Sequence, residues 1–180
     1  MAVADRAAYK PLAIDTRPGD SGWAEDRARL RRLEALWQVK RGGRTLPSRA
    51  DFDPNELKRH LSSLFITEVL DDGDFRYRLI GTAVTRAMGR DVTGLRLTEA
   101  YRPQDAAHML GLYRKLCQKR VPVWRAGRTR WSEVDYSLFE VVFMPLGADG
   151  ETVDQVLSSI SFSPETSDAV EALRAEGLLQ

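Results

Sequence analysis

Hydrophobic and polar positions alternate in FRYRLI, residues 75–80, with Phe75, Tyr77 and Leu79 set against Arg76 and Arg78. That period of two predicts a strand with one dry and one wet face. Gly81 ends it, a short helix follows around Ala83 to Met88, and GRDVTG, residues 89–94, marks a turn. Upstream, LSSLFITEVL predicts a strand near Leu64 to Leu70, and Asp71-Asp72-Gly73-Asp74 joins the two strands as an antiparallel hairpin. Pro103 suits the first position of a helix. Ala106, Met109, Leu112, Tyr113, Leu116 and Cys117 then recur at three- and four-residue steps, predicting a long amphipathic helix to about Lys119. Val121 to Trp124, Tyr136 to Leu146 and Val153 to Phe162 read as three more strands, with Ala148-Asp149-Gly150 closing the last pair.

The chain ahead of these strands has a different texture. Residues 1–20 mix small, charged and Pro/Gly residues without a period, the pattern of a flexible leader. Residues 21–43 predict a helix, with Ser21 as its cap, Glu25 and Asp26 in the first turns and Gly42-Gly43 at its end. Trp23, Leu30, Leu33 and Trp37 fall on one stripe of that helix, so the stripe needs a partner surface. Asp53 caps a further short helix from Pro54. A core over residues 44–163 and a tail helix over 164–180, capped at Ser167, complete an α+β plan. Five strands form an antiparallel sheet with helices on one face, preceded by the N-terminal amphipathic helix.

This order resembles the PAS domain. LWQVKRGGRTLPSRADFDP, FRYRLIGTAVTRAMGRDVTG, FEVVFMPL and GETVDQVLSSI are similar to segments of the compact single-domain PAS proteins of alphaproteobacteria, so the resemblance covers roughly Leu36 to Ser161 and implies a bacterial source. It implies a pocket between the sheet and its helices, sensing of a small molecule, dimerisation through a helix ahead of the core, and no catalysis. Fold alone does not fix function. The inward candidates for such a pocket are Tyr77, Leu79, Met88, Met109, Leu112, Tyr113, Leu116, Phe139, Val141 and Phe143, with Tyr113 and Trp124 as polar handles. The same residues would equally fill a core at ordinary density.

Other chemistry is sparse. His60 and His108 are the two histidines. Some PAS sensors hold haem through a helix histidine, but His108 at the edge of its stripe reads more simply as a surface group. Light-sensing relatives carry a flavin-reactive cysteine in an asparagine-cysteine-arginine motif that is missing here, and Cys117 reads as a small buried hydrophobe. No cofactor is therefore named. Asp91 and Thr93, beside Arg90, suit turn capping rather than ligand contact. Arg76 and Arg78 can pair with Glu68 on a solvated face.

Composition adds limits. With 27 basic and 26 acidic residues the net charge is +1, which gives no general attraction for nucleic acid or anionic membrane. One cysteine excludes an intramolecular disulfide and paired-cysteine metal sites, and no signal peptide or membrane-spanning run occurs, so a cytoplasmic protein is expected. Charge is uneven in one place: Arg27, Arg29, Arg31, Arg32, Lys40, Arg41, Arg44 and Arg49 share their stretch with Glu34 as the only acid. Two readings follow. The preferred one is a stand-alone sensory PAS protein, homodimeric through residues 21–41 and acting on a protein partner; the other is a regulator that binds nucleic acid or a nucleotide along Arg27–Arg49. No GxSxG, P-loop or HExxH motif supports an enzyme.

Overall fold

The computed structural model describes residues 23–129, 137–164 and 167–179. The leader, the Ser21 cap and Tyr136 lie outside the described residues. The chain runs through α1 (Trp23–Arg41), α2 (Pro54–Leu57), β1 (Leu64–Val69), β2 (Phe75–Ile80), α3 (Thr82–Met88) and α4 (Leu97–Ala100). It continues through α5 (Pro103–Lys119), β3 (Val123–Thr129), β4 (Ser137–Leu146), β5 (Gln155–Pro164) and α6 (Ser167–Ala175). The five strands pair antiparallel in the order β2-β1-β5-β4-β3. This is the α+β plan that the alternation predicts.

Local chemistry explains the element ends. Asp53 accepts from the Asn55 N–H at 2.7 Å, and Glu56 reaches back to the Asp53 N–H at 2.9 Å, a capping box that starts α2 at Pro54. Gly73 takes the left-handed conformation (φ 81°) that the β1–β2 hairpin requires. Gly81 is demanded by space instead. A Cβ there would lie 2.3 Å from the Leu61 carbonyl oxygen and 2.4 Å from that of Ser62, both backbone atoms. Gly81→Ala is therefore expected to destabilise the fold by about 1–3 kcal/mol through overpacking. A urea unfolding curve with an unchanged midpoint would show that the two segments can part at no cost.

The sheet is covered on both faces. On the inner face, α3 to α5 pack over Phe65, Phe75, Tyr77, Val141 and Phe143. On the outer face, α1 crosses β4 and β5, and Leu30, Leu33 and Trp37 are fully buried beneath it. The Trp37 indole N–H donates to the Pro145 carbonyl at 2.8 Å. This corrects the reading of that stripe as a dimer seam. Its residues satisfy their need for a partner surface inside their own chain, and Trp23 packs partly buried against a smaller cluster of Leu138, Ala169 and Leu173.

Two further expectations change for reasons of register. β3 runs to Thr129 rather than stopping at Trp124, because Arg125 to Thr129 pair residue by residue with β4 although their sequence carries little strand signal. Gly127 allows this, since a Cβ there would meet the Phe139 ring at 2.8 Å. In β2, the ladder slips between Ile66 and Thr67, so Tyr77 pairs with Thr67 while Leu79 pairs with Ile66. A bulge reverses the alternation. Leu79 thereby joins Ile66 on the outer face instead of following Tyr77 inward.

Candidate functional site

The inner face of the sheet carries an aromatic cluster with a polar centre. Tyr113 projects from α5 onto the sheet, its ring 4.8 Å from Phe75 and 5.5 Å from Phe143, centroid to centroid. Phe65 completes the group with edge-on contacts to Phe143 at 6.0 Å and Tyr77 at 6.2 Å. Beneath Tyr113 lie two hydroxyls, Thr67 on β1 and Ser158 on the adjacent strand β5. Both side chains are fully buried, as is Tyr113. Burial pushes the Tyr113 phenol well above its usual pKa, and interaction with the Thr67 and Ser158 hydroxyls pulls the other way. Yet none of the three oxygens makes a hydrogen bond of regular geometry. The three hydroxyls face one another in imperfect geometry, so they recover only part of a desolvation cost that is about 1–3 kcal/mol for a fully unsatisfied group.

At the rim of this cluster the Tyr77 and Tyr101 hydroxyls share a hydrogen bond of 2.8 Å. Burial raises the pKa of both phenols, so both stay protonated at neutral pH. The GRDVTG turn supports the rim. Asp91 accepts from the Thr93 N–H at 2.8 Å, Gly94 donates to the Tyr77 carbonyl at 2.7 Å, and Arg90 donates to the Ala100 carbonyl at 2.7 Å. Turn chemistry accounts for these residues.

Of the inward candidates, Tyr77, Tyr113, Leu116, Val141 and Phe143 are buried together in the core. Met88, Met109, Leu112 and Phe139 pack against it partly exposed. Trp124 is placed elsewhere. It pairs with Val142, which sets it on the outer face, where its indole N–H donates to Glu34 at 3.0 Å and Arg31 lies 4.9 Å over its ring. Sequence reading had missed Thr67 and Ser158, since small polar residues in strands look like a wet face. Their signal was positional: β1 and β5 are central strands, and central strands covered on both faces have no wet side.

His108 is exposed on α5, away from the aromatic cluster's interior. Cys117 is a free thiol whose pKa burial pushes up to about 11, which disfavours a reactive thiolate. Among the described residues no group of three potential metal ligands comes together, and no helix is long and apolar enough to cross a membrane.

The basic stretch is largely internally paired. Arg27 contacts Glu140 at 3.1 Å and also Glu176, while Arg31 contacts Glu176 at 2.9 Å. Arg29 holds Asp26 at 3.1 Å, Lys40 holds Glu56 at 2.9 Å and Arg44 holds Asp51 at 2.7 Å. Arg76 and Arg78 both reach Glu68, at 3.3 and 3.5 Å.

The chain is similar over 83% of its length to the PAS domain of Bordetella pertussis BvgS, with 15% identity, a TM-score of 0.47 and 95% of that chain covered. It is similar over 70% of its length to a Rhodobacter sphaeroides LOV protein, with 14% identity, a TM-score of 0.47 and 77% of that chain covered. The PAS domain of the histidine kinase ThkA aligns over 55% of this chain and 98% of its own, with 20% identity and a TM-score of 0.39. A search of curated proteins finds no match. The PAS domain family model, however, matches residues 26–161, from the first turns of α1 through most of β5. The chain belongs to the PAS domain family.

Proposed function

We propose that this chain is a sensory domain without catalysis of its own, which binds a small, mostly apolar ligand between α5 and the inner face of the sheet. One observation carries the reading: Tyr113, Thr67 and Ser158 gather three buried hydroxyls without regular partners inside an aromatic cluster. A fully packed apolar core gains nothing from such groups, whereas a ligand with one or two polar atoms would satisfy them. Occupancy would shift α5 on the sheet, because Tyr113 fills the same space. The output is a changed contact with a protein partner. A second copy of the chain is one candidate partner, through a surface other than the Leu30–Trp37 stripe.

Native mass spectrometry of the full chain, purified from its own host and from a heterologous one, tests this. A retained small molecule that Thr67→Val and Tyr113→Phe both release is expected. The polypeptide mass alone from both sources would overturn the proposal. Without ligand, Tyr113→Phe removes an unsatisfied hydroxyl and keeps the ring, so its stability in urea is expected to equal or exceed that of the parent by up to about 1–2 kcal/mol. A loss of more than about 1 kcal/mol would mean that the phenol already has the partners it needs.

A further inference from the structure

A second polar cluster lies on the outer face, where α1 crosses the turn that leads into β1. Arg29 donates from Nη1 to Ser63 Oγ at 2.5 Å, and Ser63 Oγ donates to the His60 carbonyl at 3.0 Å. Ser159 Oγ, on β5, meets Ser63 Oγ at 3.0 Å. These contacts pin α1 over the short 3-10 turn Lys58–His60. His60 ends that turn with only 3% of its surface exposed, and its Nδ1 has no hydrogen-bond partner.

Three arginines act on this histidine electrostatically. Arg29 and Arg32 lie three residues apart on α1 and so share a side of the helix, while Arg59 directly precedes His60. Burial first, and then the positive charges of Arg29, Arg59 and Arg32, push the imidazole down to about 4. It is therefore neutral at neutral pH, with one donor and one acceptor nitrogen. Only Arg29 has a carboxylate, that of Asp26 at 3.1 Å. Arg32 and Arg59 are exposed, and among the described residues neither has an ion-pair or hydrogen-bond partner. Arg27 and Arg31, elsewhere on α1, hold carboxylates, whereas Arg32 and Arg59 are left with uncompensated positive charge.

Guanidinium forks match tetrahedral oxyanions through paired N–H donors. We propose that the exposed Arg32 and Arg59, beside an Arg29 that Asp26 and Ser63 hold in place, form a binding site for a small phosphate oxyanion at the seam between α1 and the Lys58–His60 turn, with His60 as its buried floor. A long polyanion fits less well, because Arg27, Arg31, Lys40 and Arg44 are already held by carboxylates, Arg41 lies over the Trp37 ring and Arg49 donates to the Phe52 carbonyl. The site is separate from the Tyr113 cluster, which is on the other face of the sheet. An anion held there ties α1 to the turn before β1. It does not depend on what the inner face binds.

The chain's two histidines make the test direct, since His60 borders the site and His108 is exposed on α5. Imidazole 15N signals of the full chain are followed during titration with inorganic phosphate, at constant pH and with ionic strength held by chloride. His108→Gln assigns the two signals. A saturable shift at His60, with His108 unmoved, is expected, and Arg32→Ser combined with Arg59→Ser should abolish it while leaving the unfolding midpoint in place. Glycerol phosphate in a parallel titration identifies the source: tighter saturation than inorganic phosphate favours a phosphate monoester, weaker saturation favours the free ion. Either result supports the site. No saturable shift, equal shifts at both histidines, or a shift that survives in the double variant would overturn it. So would a His60 response to a single-stranded oligonucleotide alone, which would assign the surface to nucleic acid.

Discussion

Trp37→Ala is expected to cost the fold about 3–5 kcal/mol, the range for truncating a large aromatic side chain in a packed core. Trp37 is fully buried in one cluster with Leu30, Leu33, Leu46, Met144 and Leu146. Its indole N–H also satisfies the Pro145 carbonyl at 2.8 Å, so truncation leaves both a cavity and an unpaired acceptor. Domains of this size are stable by about 5–15 kcal/mol, so the loss takes a large share of the margin that keeps the chain folded in water. Trp37→Phe is the milder control. It keeps most of the apolar volume, loses the N–H, and should fall between the parent and Trp37→Ala in urea midpoint with a similar slope. A dimer seam would behave differently. If Trp37→Ala halved the mass seen by light scattering while unfolding stayed in place, the placement of α1 on its own sheet would be wrong.

The position of α1 separates what the sequence states from what it leaves open. The stripe of Trp23, Leu30, Leu33 and Trp37 announces a buried helix face, but periodicity cannot say whether the covering surface is the same chain or another. That answer depends on the sheet's second face. In β4 both parities are apolar, Leu138, Val142, Met144 and Leu146 on one side and Phe139, Val141 and Phe143 on the other, which is the mark of a strand covered twice. The strands and α5 were legible because alternation, turn residues and Pro103 agreed with one another. Leu79 and Trp124 were assigned to the wrong face because a period-2 reading carries no knowledge of a bulge in β2 or of where the pairing of β3 begins. The hydroxyls of Thr67 and Ser158, and Ser159, Ser161 and Ser163 under α1, are invisible to a hydrophobic pattern for the same reason. Only the register shows that these polar positions are buried.

That polar layer under α1 makes a second large effect predictable. Arg27→Ala is expected to destabilise the fold by about 3–5 kcal/mol at pH 8, the usual cost of leaving one member of a buried ion pair unpaired, and by clearly less at pH 5. The Glu140 side chain is 2% exposed, and Arg27 is the group that meets its carboxylate, at 3.1 Å. Burial raises the Glu140 pKa; the charges of Arg27 and Arg31 on α1 oppose this, and Glu176 after α6 adds to it. A raised carboxyl pKa means that the folded state holds the proton more tightly than the unfolded one. The cost is therefore full above the folded pKa and is relieved as pH falls through it toward the unfolded value. Removing Arg27 raises that pKa further, so the penalty grows at high pH and acid relieves more of it. Glu140→Gln in the Arg27→Ala background removes the charge directly and should recover most of the loss at pH 8, with little effect at pH 5. Urea unfolding of the two variants at both pH values decides the matter. An Arg27→Ala penalty that is equal at pH 5 and pH 8, or that Glu140→Gln fails to relieve, would mean that Arg27 acts through its packing under Trp23 and its contact with Glu176 rather than by neutralising the buried carboxylate.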